Sequence, residues 1–274
     1  MNVAQDTLYS VACDYITCYS SKDEPVTGLG ALASSLFRHE VEIGNKHYGW
    51  SMSGFKGFKC GEVEVGKRGE EVLVRLHGNS AALSWRKLYE RASNVSRIDL
   101  QATILVQGGV TRAIESFRRD ARRFAKTRHD APVVRWVCDH RGGYTLYLGA
   151  RSSVCFGRIY DKYHHTKMEY YRDCLRAEVQ YQDQLALRVA QALYAESSPI
   201  SLMSSYITRF LERRGCSLEL PGGAAAGITC PRNRSDVDKN LIWLERSVRP
   251  CIKRIMDAGR GEEALRALGL VQGE

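Results

Sequence analysis

Residues 147–162 read YLGARSSVCFGRIYDK, and the last five, Arg158-Ile159-Tyr160-Asp161-Lys162, decide how the chain is read. The stretch predicts a strand, and side chains on a strand alternate between its two faces. Phe156, Arg158, Tyr160 and Lys162 are therefore expected to share one face. A tyrosine between two cations is a candidate nucleophile, because neighbouring positive charge stabilises a phenolate. The plainer reading is a half-exposed strand whose Arg and Lys lay their stems along it.

Two other segments have the same form, a cation two positions before an acid: Arg97-Ile98-Asp99 and Arg176-Ala177-Glu178. Period two puts both members of each pair on one face and the apolar residue between them on the other. If the three strands are neighbours, one sheet face carries Asp99, Glu178, Tyr160 and four cations. Carboxylates of this kind suit a divalent metal, Mg²⁺ or Mn²⁺, which prefers oxygen ligands. Such a metal would act as a Lewis acid on a scissile phosphate. Tyr160 would attack phosphorus and form a covalent phosphotyrosine. An ordinary tyrosine has a pKa of about 10, so Arg158 and Lys162 are expected to lower it and to stabilise transition-state charge. For Asp99 and Glu178 the plainer reading is surface ion pairing with the preceding arginines.

Around these strands the sequence predicts an α+β domain on an antiparallel sheet. Residues 1–35 are weakly patterned. Residues 58–65 and 71–76 read as a hairpin around Gly66-Lys67-Arg68-Gly69, and Asn79 or Ser80 is placed to cap a helix through Trp85, Leu88 and Tyr89. Residues 97–106 read as a strand ended by Gly108-Gly109. Thr111 then opens an amphipathic helix with Ile114, Phe117, Ala121 and Phe124 on its core face. Arg112, Arg118, Arg119, Arg122, Arg123 and Lys126 decorate the rest of that helix. They are either a solvated face or, at this density, phosphate contacts. Residues 133–137, 144–148, 155–160 and 176–181 follow as short strands, with a turn at Arg141-Gly142-Gly143.

After Gln182 the pattern turns helical, over 185–195 and 202–214. A Pro/Gly/Ala-rich loop covers 218–233, Ser235 caps a further helix that Pro250 interrupts, and a short helix starts at Glu262. The chain is therefore divided into a nuclease-type domain, 1–182, and a helical region, 183–274, for DNA recognition, oligomerisation or packing. The sequence shows no internal repeat.

Composition narrows the partner. The 274 residues carry a formal charge of +9, with 44% hydrophobic and 26% charged residues. That excess favours an acidic partner, with nucleic acid the commonest. No apolar run approaches the roughly 20 residues of a membrane span, and the start MNVAQDTLYS lacks a signal-peptide pattern. A cytoplasmic location without membrane contact is the expectation. The nine cysteines are scattered and odd in number, which argues for reduced thiols rather than disulfides or a zinc site.

Taken in order, VSRIDL, YLGARSSVCFGRIYDK and LRAEVQ resemble the replication initiation factor family (Rep-trans), which includes rolling-circle initiators of plasmids and filamentous phages and nicking relaxases of integrative elements. The stretch HYGWSMSGFKGFKCGEVEVG, 47–66, is similar to the N-terminal part of phage-type members, and the resemblance spans about 48–182. It implies a site-specific, metal-dependent DNA nickase and ligase with a rolling-circle nuclease-like fold. Such an enzyme cuts one strand at an origin hairpin and stays attached to the 5′ phosphate, and host helicase and polymerase then extend the 3′ end. A homodimer is a further expectation. By the same resemblance Tyr160 is the nucleophile, Asp99 and Glu178 are the metal ligands, and Arg151, Ser153, Arg158 and Lys162 stand at matching motif positions. Plasmid members often carry a second acid four residues after the first, where this chain has Thr103. There is no H-x-H pair, and His164, His165 and Glu169 are read as a solvated loop. Tyr163, Tyr170 and Tyr171 are the alternative nucleophiles. The alternatives in function are a DNA-binding regulator that keeps the fold without cleavage, and a conjugative relaxase.

Overall fold

The alternation at 97–104 sets the two faces of the sheet. Ile98, Leu100, Ala102 and Ile104 are buried in an aliphatic core, while Arg97, Asp99, Gln101 and Thr103 point the other way. The computed structural model describes residues 7–20, 27–127, 133–138, 143–218, 220, 249–261 and 263. It forms two units by itself, 1–228 and 229–274.

The first unit is built on ten strands: β1 (Thr7–Tyr19), β2 (His47–Met52), β3 (Phe55–Cys60), β4 (Val63–Arg68), β5 (Glu71–His77), β6 (Asn94–Leu105), β7 (Val134–Cys138), β8 (Tyr144–Leu148), β9 (Cys155–Asp161) and β10 (Cys174–Gln182). They make one sheet in the order β2-β3-β4-β5-β1-β6-β10-β9-β8-β7. Every pairing in it is antiparallel. The helices are α1 (Thr27–Glu42), α2 (Gly78–Arg91), α3 (Val110–Lys126), the short α4 (Lys162–Thr166), α5 (Asp183–Ala195) and α6 (Pro199–Glu212), with a 3₁₀ turn at Glu169–Tyr171. The expected α+β class with an antiparallel sheet is what the chain forms.

The strand order reads the same from both ends. Each half is a strand, a helix, a run of four strands that returns to pair with the first, and a closing helix. The first strands of the halves, β1 and β6, pair at the centre. The backbone repeats too: His77 before α2 has φ −123° and ψ 160°, and Gln182 before α5 has φ −126° and ψ 161°. Gly78 and Asp183 then turn the chain with φ of 50° and 53°. The sequence carries no sign of this duplication.

Helices α5 and α6 complete the core that the sheet begins. Leu185, Val189 and Leu193 on α5, and Met203, Ile207 and Phe210 on α6, are buried. Each such side chain contributes roughly 1.5–3 kcal/mol through its removal from water. The Tyr181 hydroxyl of β10 donates to the Tyr206 carbonyl of α6 at 3.2 Å. Gly157 leaves room for this packing, since a Cβ there would lie 2.3 Å from the Phe210 ring. The first compact unit therefore takes in α5 and α6, because the aliphatic face of the sheet needs these helices as its cover.

Three local expectations change. Residues 7–19, read as unpatterned, form the central strand β1. Residues 58–65 are two strands, β3 and β4, turned at Gly61 with φ 51°, so the expected hairpin is part of a four-strand run. Helix α2 begins at Gly78 with no side-chain cap, and Ser80 instead donates its backbone N–H to Glu62 at 2.7 Å. In the second unit α7 (Arg249–Asp257) includes Pro250. The helix expected from Ser235, most of the one expected from Glu262, and the turn residues Arg141 and Gly142 lie outside the described residues. Cys13, Cys18, Cys60, Cys155, Cys174 and Cys216 are buried thiols, and Cys138 is exposed. Among the described residues no helix is long and apolar enough to cross a membrane.

Candidate active site

The three R-x-acid or R-x-Tyr segments lie on β6, β10 and β9, which are neighbours in the sheet, so the condition for one shared face is met. Register fixes the juxtapositions: Arg158 lies opposite Glu178, Tyr160 opposite Arg176, Gln101 opposite Glu178 and Thr103 opposite Arg176. Paired residues in a sheet project to the same side, so Asp99, Glu178, Arg158 and Tyr160 share the face opposite the one that α3, α5 and α6 cover.

Glu178 is the hub. Its Oε1 accepts from the Tyr160 hydroxyl, and its Oε2 accepts from Arg158 Nε at 2.5 Å and also pairs with Arg158 Nη2. Asp99 is held in a two-pronged pair by Arg97, with Nε to Oδ1 at 2.8 Å and Nη2 to Oδ2 at 2.5 Å. The Arg97 guanidinium lies 4.0 Å above the ring of Tyr15 on β1. Arg176 is buried, donating Nε to Thr103 Oγ1 at 3.0 Å and Nη1 to Asp14 Oδ1 at 3.1 Å. Lys162 is also buried, with its Nζ 5.2 Å from the Tyr171 ring centre. Beside Glu178 opens a cavity of about 400 Å³ lined by Arg97, Asp99, Tyr147, Arg151, Phe156, Arg158, Glu178 and Gln180.

Burial decides the electrostatics. The Tyr160 phenol is pushed well above its ordinary pKa, first by burial and then by the charge of Glu178, with Arg176 and Arg158 only partly opposing. This runs against the expectation that flanking cations lower it: the hydroxyl faces a carboxylate, Arg158 is already paired with that carboxylate, and Lys162 lies over the Tyr171 ring. Burial also raises Asp99 to about 6 against the pull of Arg97. Asp14 is raised by burial and by Glu178. Lys162 is lowered by burial and by Arg176.

The remaining candidates divide by face. Arg151 lines the cavity, 5.4 Å from the Tyr147 ring centre. Ser153 is spent on its own turn, its hydroxyl reaching the carbonyls of Ala150 at 2.7 Å and Cys155 at 2.5 Å. Lys162 is not on the strand. It opens α4, which Asp161 caps by accepting the His164 N–H at 2.9 Å. Helix α3 buries Ile114 and Ala121 on the aliphatic side of the sheet, with Arg118 5.0 Å from the Trp136 ring centre. Arg119, Arg122, Arg123 and Lys126 are exposed on that helix, across the sheet from Tyr160. Tyr163 stands on α4, and Tyr170 and Tyr171 stand on the 3₁₀ turn with Tyr170 exposed. His165 is solvent-exposed, as expected, but stands on α4 with its ring 5.3 Å from that of Tyr160.

The residues that sequence reasoning missed are Asp14 and Tyr15 on β1 and the aromatic wall Tyr147, whereas Phe156 and Arg176 were placed on this face by their alternation with Arg158 and Glu178.

No family model matches the chain, and no curated protein sequence does. The structure is similar to that of a rolling circle replication initiator protein from Geobacillus stearothermophilus, with a TM-score of 0.54 at 19% identity, over 74% of this chain and 85% of that one. The chain thus has the mixed fold with a large antiparallel sheet found in that initiator.

Proposed function

We propose that the chain is a rolling-circle replication initiator that nicks and rejoins one DNA strand at an origin through Tyr160. The observation that carries this reading is the Tyr160–Glu178–Arg158 constellation on the central strands of an initiator-type sheet. In the proposed reaction the Tyr160 oxygen bonds to phosphorus and its proton passes to Glu178 Oε1. The bond from phosphorus to the 3′ oxygen breaks, and that oxygen leaves with the electron pair and takes up a proton. Arg158, Arg151 and Lys162 balance charge on the phosphate oxygens. The tyrosine keeps the 5′ phosphate until a 3′ hydroxyl reverses the step.

Two carboxylates facing one cavity suit Mg²⁺ or Mn²⁺, since Mg²⁺ binds through one or two carboxylates, several waters and substrate phosphates. Asp99 and Glu178 would hold it, and it would supply Lewis-acid stabilisation of phosphate charge. Among the described residues no third His, Cys, Asp or Glu joins them in a ligand cluster. The exposed cations of α3 are assigned to duplex DNA on the other face, and residues 229–274 to origin recognition, dimerisation or helicase recruitment.

The test is nicking of supercoiled DNA carrying the cognate origin, with Mg²⁺ or Mn²⁺, together with a denaturing gel for the covalent adduct. Wild type is expected to relax the DNA and form an adduct that Tyr160→Phe does not form. Adduct from Tyr160→Phe would move the nucleophile to Tyr163, Tyr170 or Tyr171. Binding without nicking under both metals would leave the DNA-binding regulator. The burial of the Tyr160 hydroxyl against Glu178 favours that second reading.

A further inference from the structure

Strand β1 passes the site with one residue too many. Its register against β6 shifts between Cys13, opposite Leu100, and Tyr15, opposite Asp99, so that Asp14 is the extra residue of a β-bulge. Bulges next to active sites re-aim side chains, and this one brings Asp14 within 3.1 Å of Arg176 Nη1. Arg176 needs such a partner. Its side chain is 7% exposed, and a buried cation is stable only with a counter-charge. Its cross-strand neighbour Thr103 offers a neutral oxygen. Glu178 stands 3.9 Å away, with both oxygens bonded to Tyr160 and Arg158. Asp14 is the remaining carboxylate bonded to Arg176.

We propose that Asp14 is a positioning residue of this site: from the β1 bulge it supplies the carboxylate that Thr103, opposite Arg176, does not, and holds Arg176 beside Tyr160 and Glu178. Without it, Arg176 would draw on Glu178 for charge balance and pull the carboxylate away from the tyrosine hydroxyl. The proposal rests on Tyr160 as nucleophile only for its kinetic consequence. The placement of Arg176 is a separate matter.

The experiment compares wild type, Asp14→Asn and the swap Asp14→Asn/Thr103→Asp in the full chain. Single-turnover adduct formation on an origin oligonucleotide is read alongside the thermal midpoint. The Arg176 side-chain Nε–H resonance, assigned with Arg176→Lys, is read by its hydrogen-exchange rate. Asp14→Asn is expected to slow adduct formation on the order of 10- to 100-fold, as loss of an outer partner of a reacting group does, and to speed Arg176 exchange. The swap places an acid directly opposite Arg176 and is expected to restore both. Unchanged exchange and rate in Asp14→Asn overturn the proposal, as does a swap that restores neither. If wild type does not nick, the exchange readout still tests the placement, and the failure falls on the function. If Asp14→Asn does not fold, a folded swap with slow Arg176 exchange supports the proposal and an unfolded swap overturns it.

Discussion

Replacing Asp99 by asparagine is expected to make the protein more stable while removing the proposed nicking activity. Burial holds the Asp99 carboxyl at about 6 rather than the ordinary 3.8, even with Arg97 pulling the other way. The folded chain therefore binds this proton more tightly than the unfolded chain does. The stability linked to the group is complete below pH 3.8 and is lost as pH rises through about 6. At about 1.4 kcal/mol for each tenfold in proton affinity, the ionised carboxylate costs the fold about 3 kcal/mol at about pH 8 and about half of that at about pH 5. Asparagine does not titrate and keeps the shape. Arg97, a third exposed and stacked on Tyr15, stays solvated without its partner. For a unit of this size each kcal/mol moves the midpoint by about 2–4 °C, so Asp99→Asn should melt roughly 6–12 °C higher near pH 8. The gain should halve near pH 5 and approach zero near pH 4. Thermal unfolding followed by circular dichroism at the three pH values checks this. A variant that melts at or below wild type near pH 8, or a gain independent of pH, would refute the argument that burial of this charge is a net cost.

Other changes probe neighbouring parts of the argument. Gly157→Ala puts a Cβ 2.3 Å from the Phe210 ring and should cost about 1–3 kcal/mol by overpacking, measured by urea unfolding. Ser153→Ala removes two hydrogen bonds within one turn, and should lower stability by about 1–2 kcal/mol without changing oligonucleotide affinity. An affinity loss at unchanged stability would return Ser153 to phosphate binding. Arg122→Ala/Arg123→Ala, altered across the sheet from Tyr160, should leave adduct formation on a short single strand unchanged. The same pair should reduce the salt slope of duplex binding by about 2, at about 0.9 per lost phosphate contact.

The strands that carry the site were legible because each hides an apolar residue between two polar ones. Ile98, Ile159 and Ala177 are the buried middles of the three segments, and period two set the face of Asp99, Tyr160 and Glu178 within each strand, while their meeting depended on the strands being neighbours. Strand β1 was illegible for the complementary reason. Register shifts at three points break its alternation, and the strand that delivers Asp14 and Tyr15 gives no periodic signal. The direction of the Tyr160 pKa could not be read either, since sequence shows which charges are near in the chain but not which are already paired. The cations of α3 were visible as a set, yet the side of the sheet they occupy is decided by Ile114 and Ala121 meeting the aliphatic face.

The mirrored strand order makes the site a joint product of two half-sheets. Glu178, Arg158 and Tyr160 come from the second half, while Asp14 and the Tyr15 ring beneath Arg97 come from the first. Within the sheet the halves meet along a single ladder, β1 against β6, with α2 also touching α5 and α6 touching β1, and they are joined in sequence through Ala92 and Ser93. A chain cut there would leave each fragment with its innermost strand bare, a full row of unpaired donors and acceptors shaped for the other. Neither fragment would own a complete site. Mixing the two is expected to re-form the β1–β6 ladder and, with it, the Asp14–Arg176 and Tyr15–Arg97 contacts that span the halves.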